Sequence, residues 1–442
     1  MYFLKHSLLL VLSIALLTIS SHDDHGAAAA ADFEYLNDTL TNLAFGSCHN
    51  AFKIKPNDPN IWKQIRENEQ PQAFVWAGDA VYPPQRRVAS PEQLRELYED
   101  MNSNETIGYA GWKPPLGIFG TWDDHDYGGN DMGREMPNKN ERAQAFYEFL
   151  QIPALTDDRD GLYYSVTFGE PPQQTKLILL DTRWHRGRHC LPSLATNIPL
   201  GAGISAAIRW ALAGFNVNAW WPFWDCWSTS VLGKDQWTWL EQELMESKAQ
   251  VNVVVSSIQV LTTNPTVESW GHFPYERQHL LKLLGRGISG LVVLSGDVHH
   301  AEILDPLAAL LMKERRSFLE VTSSGMTHDC SQPVYGAMCK PILDHYNQHR
   351  FETTNNIYIG KNYGSILINW EEQSMQVLIK NEVGAVALDT GIRSFHQEAL
   401  TQDEIDGIVP CVDGHMIQPF LKIFMTVIGI VLIGATGLFF SR

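Results

Sequence analysis

Between residue 43 and about residue 386, short apolar stretches alternate with longer stretches of helical spacing. Residues 43–46, 73–77, 117–121, 177–180, 251–256 and 291–295 carry β-branched, aromatic and other apolar side chains with little polar interruption. Such runs, bounded by turn residues, predict buried strands. Residues 59–68, 91–101, 141–150, 235–247 and 275–284 repeat apolar positions at helical spacing and predict amphipathic helices. Strand and helix in turn predict α/β order. After Phe318 the pattern turns to strands, and 363–370 with 375–380 predicts a hairpin that completes a second sheet.

Two apolar runs stand outside this alternation. Residues 8–19 follow Lys5 and His6, suit the core of a signal peptide, and predict cleavage after Ser20, with the alanines at 27–31 as a second cleavage site. Residues 423–440 hold no charged side chain and are bounded by Lys422 and Arg442. That length predicts a transmembrane helix. The expected organisation is a signal peptide at 1–20, a globular domain at 32–400, a juxtamembrane stalk at 401–422 and a membrane span at 423–440. It predicts entry to the secretory pathway and a single-pass type I membrane protein, with a GPI anchor as the alternative. Sequons at Asn37 and Asn104 suit a lumenal or extracellular domain.

The 442 residues carry 33 Lys and Arg against 50 Asp and Glu, a formal net charge of −17. This balance repels phosphate backbones and excludes nucleic acid as the expected partner. An acidic chain acting on an anionic substrate must concentrate positive charge locally, and bound cations do so compactly. Six cysteines in an oxidising compartment predict the pairs Cys330 with Cys339 and Cys190 with Cys226. A bond between Cys48 and Cys411 stays open. The aromatic run at 220–227 reads as packing of an insert or as a contact rim, and no function is assigned to it.

Polar residues gather where the predicted strands end. The ends read Gly46-Ser47-Cys48-His49, Gly78-Asp79-Ala80-Val81-Tyr82, Trp122-Asp123-Asp124-His125-Asp126 followed by Asn130, and Gly296-Asp297-Val298-His299. In α/β sheets these carboxyl ends face the ligand crevice. Carboxylates collected there need a shared counter-charge, which a pair of metal ions beside Asp79, Asp123 and Asp297 would provide. The donors sort by hardness: Cys48, Tyr82 and His299 suit Fe or Zn, whereas Asp123 and Asn130 suit Ca, Mg or Mn.

These motifs, with Leu180-Asp181-Thr182-Arg183 and the Glu268-to-Arg277 stretch, resemble the PhoD-like alkaline phosphatases, a branch of the calcineurin-like metallophosphoesterases. The resemblance covers about 43–370. It implies a four-layer αββα sandwich, an Fe(3+) site with Cys and Tyr ligands, and Ca(2+) beside it. Asp126 stands where the family more often has Glu. The implied activity is hydrolysis of a phosphoric ester, a small molecule or a lipid headgroup, by a metal-activated hydroxide in line at phosphorus. His125 is the expected acid or charge stabiliser, and Arg142 and Arg183 the expected phosphoryl clamps. The competing expectation is a non-catalytic calcium-binding, membrane-anchored surface protein. A serine hydrolase and a zincin are excluded by the absence of Gly-x-Ser-x-Gly and His-Glu-x-x-His.

Overall fold

A computed structural model of the chain describes residues 33–55, 58–84, 88–152, 159–189, 201–214, 230–312, 315–331, 336–351 and 356–408. The strands are β1 (Phe33–Leu36), β2 (Asn42–Gly46), β3 (Ala73–Ala77), β4 (Gly117–Thr121), β5 (Tyr164–Phe168), β6 (Thr175–Leu179), β7 (Val251–Val255), β8 (Leu291–Ser295), β9 (Ala301–Leu304), β10 (Leu319–Ser323), β11 (Ile357–Tyr358), β12 (Asn362–Asn369), β13 (Ser374–Asn381), β14 (Val386–Asp389) and β15 (Arg393–Ser394). They form two sheets. One has eight strands in the order β1-β5-β6-β7-β8-β10-β9-β11, with β6, β7, β8 and β10 parallel. The other runs β14-β13-β12-β2-β3-β4 with β15 on β13, and its β2, β3 and β4 are parallel.

The strand period of two explains why both sheets are covered twice. Leu177, Leu179, Val253, Val255, Val292 and Leu294 point between the sheets and share one core with Phe45 and Val75. Their neighbours Ile178, Val254 and Val293 point the other way and share a second core with Leu240, Leu244, Leu280 and Leu284. Those leucines belong to the helices Lys234–Met245 and Pro274–Leu284. On the outside of the second sheet Phe74 and Trp76 pack edge-on against Trp62, and Trp76 also meets Phe149 of the helix Lys139–Leu150. Helix Pro91–Ser103 joins that layer through Tyr98, stacked on Phe149. Helices therefore cover both outer faces, giving four layers.

The predicted elements fall close to their observed bounds. The hairpin is β12 and β13, and its pairing of β12 with β2 makes it part of the second sheet. The predicted helix at 59–68 is a short α-turn, Ile61–Lys63, that widens into a π-turn, Gln64–Glu69. The expected Cys330–Cys339 disulfide is present. Residues 402–408, placed in the expected stalk, lie against the body: Ile405 and Ile408 are buried, and Arg315 pairs with Glu404.

The C-terminal transmembrane helix in the expected fold class is corrected. Among the described residues no helix is long and apolar enough to cross a membrane. The longest, Gly201–Gly214, has 14 residues, about 21 Å against a hydrocarbon core of about 30 Å. Residues 423–440 lie outside the described residues. The single-pass type I placement, and the membrane as a partner through that helix, are therefore set aside. The signal peptide at 1–20, the 27–31 tract, the aromatic run at 220–227, residues 409–422, and Cys190, Cys226 and Cys411 also lie outside the described residues.

Candidate metal centre

The two sheets meet at their parallel carboxyl edges. Thr121 Oγ1 at the end of β4 donates to Leu180 O after β6 at 2.6 Å, and Trp122 Nε1 donates to Asp181 Oδ1 at 2.9 Å. Residues following β2, β3 and β4 consequently face residues following β6, β7, β8 and β10.

The backbone at this edge is under unusual demand. Cys48, Asp79, Asp297 and His299 all have positive φ, between 55° and 71°. L-residues avoid this region, and such conformations cluster at functional sites where the surroundings enforce them. Gly78, before Asp79, also has positive φ, and a Cβ there would lie 2.5 Å from Asp123 Cβ. Only glycine lets the β3 and β4 loops approach so closely.

Soft donors collect on one side. Tyr82 donates its hydroxyl to Asp79 Oδ2 at 2.6 Å and lies 3.4 Å from His299 Nε2. Cys48 Sγ lies 3.7 Å from the same Asp79 oxygen and 3.0 Å from Ser324 Oγ. Cys48 is a free, buried thiol. Burial pushes the Cys48 and Tyr82 protons toward higher pKa, the Tyr82 phenol strongly so, and lowers His299 to about 4.

Carboxylates collect on the other side. Single oxygens of Asp79, Asp123, Asp124 and Asp297 lie within 4.8 Å of one another, and two further groups, Asp79 with Asp124 and His125, and Asp124 with Asp131 and Glu268, meet the same limit. Asp124 belongs to all three. Burial, reinforced by the neighbouring carboxylates, raises Asp79 and Asp297 well above the usual range. Asp123 is raised to about 7, chiefly by burial and against the pull of Arg183. Asp123 Oδ2 and Asp124 Oδ1 are buried without a hydrogen-bond partner. Orphaned carboxylate oxygens in a crowd of acids are the signature of cation ligands, so the residues present fit metal binding.

The expected clamps are engaged elsewhere. Arg183 is fully buried, donates from Nε to Asp123 Oδ1 at 2.6 Å and from Nη1 to Glu268 Oε2 at 2.9 Å. Glu268 also pairs with Arg186 and His189. Despite burial, the Arg183 and Arg186 guanidiniums hold Glu268 well below the usual carboxylate range. Arg142 spends its donors on the carbonyls of Pro137, Tyr127 and Ala89 at 2.7 to 2.9 Å. Asn130 sits half-buried in the turn after the Asp124–Tyr127 helix. His125 packs against Tyr82 with ring centroids 4.0 Å apart and planes tilted by 31°, and enclosure lowers its pKa.

Four contributors escaped the sequence reading: Asp124, Glu268 as an arginine hub, Ser257 donating to Asp123 Oδ1 at 2.7 Å, and His328 beside His299. Asp124 was visible as half of an Asp-Asp pair, but the sequence carries no sign of which oxygen faces the crevice. Cavities of about 550 and 650 Å³ open where β4 begins and where β9 ends, away from these residues.

The model of the PhoD-like phosphatase family matches residues 43–379, three quarters of the chain. The chain belongs to the PhoD-like phosphatases. This family membership makes it a hydrolase of phosphoric ester bonds, and its members depend on metal, as the acidic groups here accommodate. Among solved structures it is similar to one described as the structure of PhoD, at 17% identity with a TM-score of 0.50, covering 87% of this chain and 78% of the other. That likeness bears on the fold. None of the curated proteins matches this chain.

Proposed function

We propose that this PhoD-like chain hydrolyses phosphoric monoesters of small molecules at the edge between the two sheets, and diesters as a second group. The observation that carries the reading is the segregation of donors around Asp79. Cys48, Tyr82 and His299 suit Fe(3+) on one side, and Asp123, Asp124 and Asp297 suit Ca(2+) on the other, with the Asn130 amide as a candidate further donor and Zn, Mn or Mg as replacements. When bound, such cations activate the attacking water and neutralise charge on the phosphoryl oxygens.

The chain's own residues orient this chemistry. Attack by a water oxygen in line at phosphorus forms one P–O bond as the bond to the alkoxide breaks, and the alkoxide takes up a proton, leaving phosphate and an alcohol. His125 stands at the rim with a quarter of its side chain exposed. Its lowered pKa favours a neutral ring that donates an N–H hydrogen bond to the phosphoryl or leaving oxygen over a full imidazolium. Arg183 holds Asp123 in place and offsets its charge instead of clamping substrate. Arg142 ties the segment after β4, through the Tyr127 and Pro137 carbonyls, to the segment after β3, through the Ala89 carbonyl.

A non-catalytic calcium-binding protein would need neither the buried thiol nor the phenol beside it. The test is hydrolysis of a phosphomonoester and a phosphodiester by the full chain before and after chelation. Turnover that vanishes on chelation and returns with added metal supports the reading. Turnover indifferent to chelation ends it.

A further inference from the structure

The loop after β10 is tied into the site from several directions. Gly325 and Met326 both donate their backbone N–H to Ser47 O at 3.2 Å, and Thr327 Oγ1 accepts from the Asn50 N–H at 2.6 Å. Ser324 Oγ accepts from the His299 N–H at 2.7 Å, and Cys330 N donates to His299 O at 2.8 Å. The Cys330–Cys339 disulfide anchors the far end of the same loop. These ties hold His328 against the soft side of the cluster.

There its Nε2 lies 3.1 Å from His299 Nε2, with ring centroids 4.2 Å apart and ring planes at 63°. Its ring also stands edge-on to Tyr82, 4.9 Å between centroids. Two imidazole nitrogens facing each other need either one shared proton or one shared cation. A shared proton would occupy a nitrogen lone pair of one ring, although the Tyr82 hydroxyl faces the same His299 nitrogen at 3.4 Å. Ligand atoms about 2.0–2.1 Å from one cation lie about 3.0–3.4 Å from each other at ordinary ligand angles, and the His299–His328 and Tyr82–His299 separations fall in that interval. Charge favours the cation too. Thiolate, phenolate and carboxylate already balance a trivalent ion, and an imidazole adds a donor without adding charge.

We infer that His328 is a further ligand of the transition-metal ion held by Cys48, Asp79, Tyr82 and His299. The inference rests on the metal reading of the site given above. It deepens that reading by making the β10 loop part of the metal cage and the disulfide part of its support.

X-ray absorption at the metal edge of the full chain, as purified, tests it without any substitution. Two imidazoles on the ion are expected, and a single imidazole overturns the inference. A chain that binds no transition metal at all ends the metal reading itself, a separate outcome. His328→Gln, checked for folding by circular dichroism, is expected to lose at least about 10-fold in metal affinity and to shift the visible absorption of the site. His328→Asp, which retains a ligand atom, is expected to keep the ion. Unchanged affinity and spectrum in His328→Gln, with activity alone impaired, would mean that the ring touches substrate and would overturn the assignment.

Discussion

Asp126 accepts the backbone N–H groups of Ala80 and Val81 at 3.1 and 3.2 Å, although 45 or more residues separate them. Its other oxygen accepts the Asp123 N–H at 3.1 Å, and Tyr98 donates to the first, Oδ1, at 3.3 Å. One carboxylate therefore ties the loop carrying Asp79 and Tyr82 to the loop carrying Asp123 and Asp124. The position that differs from the commoner family residue is a brace between ligand loops.

Replacing that brace should loosen the site before it touches the chemistry. Asp126→Asn keeps the shape but supplies an N–H where an acceptor is needed. Leaving a buried N–H donor without an acceptor costs about 1–3 kcal/mol, so a loss of that order is expected in chemical denaturation of the metal-free chain. A variant as stable as the parent would remove the brace from the account.

Arg183 should tolerate even a conservative change poorly. Breaking one partner of a buried ion pair costs about 3–5 kcal/mol because the remaining charge is stranded. Arg183→Lys keeps the charge but cannot reach Asp123 and Glu268 together with the planar fork. Expected outcomes are lower stability in urea and a fall in kcat with little change in KM. A pure rise in KM would instead return Arg183 to a substrate-clamping role.

Asp124 and Asp123 should separate by what they hold. Asp124→Asn removes a residue common to all three acidic groups and should cut metal content and kcat/KM at least about 10-fold. Asp123→Asn leaves Arg183 and Glu268 facing an amide, and should cost stability as well as metal. Metal analysis of the two purified variants distinguishes them, and full metal occupancy in Asp124→Asn would count against its assignment.

The four buried carboxylates should contribute less to the stability of the metal-free chain as pH rises, opposed by His125 and His299, whose lowered values act the other way. Burial lifts Asp123 and Asp126 to about 7 from the ordinary value of 3.8, and Asp79 and Asp297 also shift upward. Between their unfolded and folded values these carboxylates bind more protons in the native state than in the unfolded state, so their contribution to stability falls with increasing pH across about pH 4 to 7. Cations relieve the crowd and should flatten the slope. Thermal unfolding of chelated and reloaded protein over that range checks it. Equal slopes would argue against cations among these carboxylates.

Iron bound through the Tyr82 phenolate should colour the protein by charge transfer. Tyr82→Phe should bleach that absorption while leaving the fold intact by circular dichroism. Persistent colour in the variant would locate the chromophore elsewhere.

The sequence by itself determined the central strands, because runs such as Val251–Val255 and Leu291–Ser295 are apolar with little polar interruption, as strands covered on both faces are. It also determined which strand ends carry donors, since Cys48, Asp79, Tyr82, Asp297 and His299 follow those runs within a few residues. Tertiary structure alone decided how those donors divide and what supports them. Cys48 meets Ser324 across 276 positions of chain, and Asp123 meets Ser257 across 134. Such contacts leave no local pattern, because sheet packing and not chain spacing brings them together. The same holds for Arg183, whose residue type suits a phosphate clamp equally well. Only its burial between Asp123 and Glu268 shows that its donors are spent on those two carboxylates.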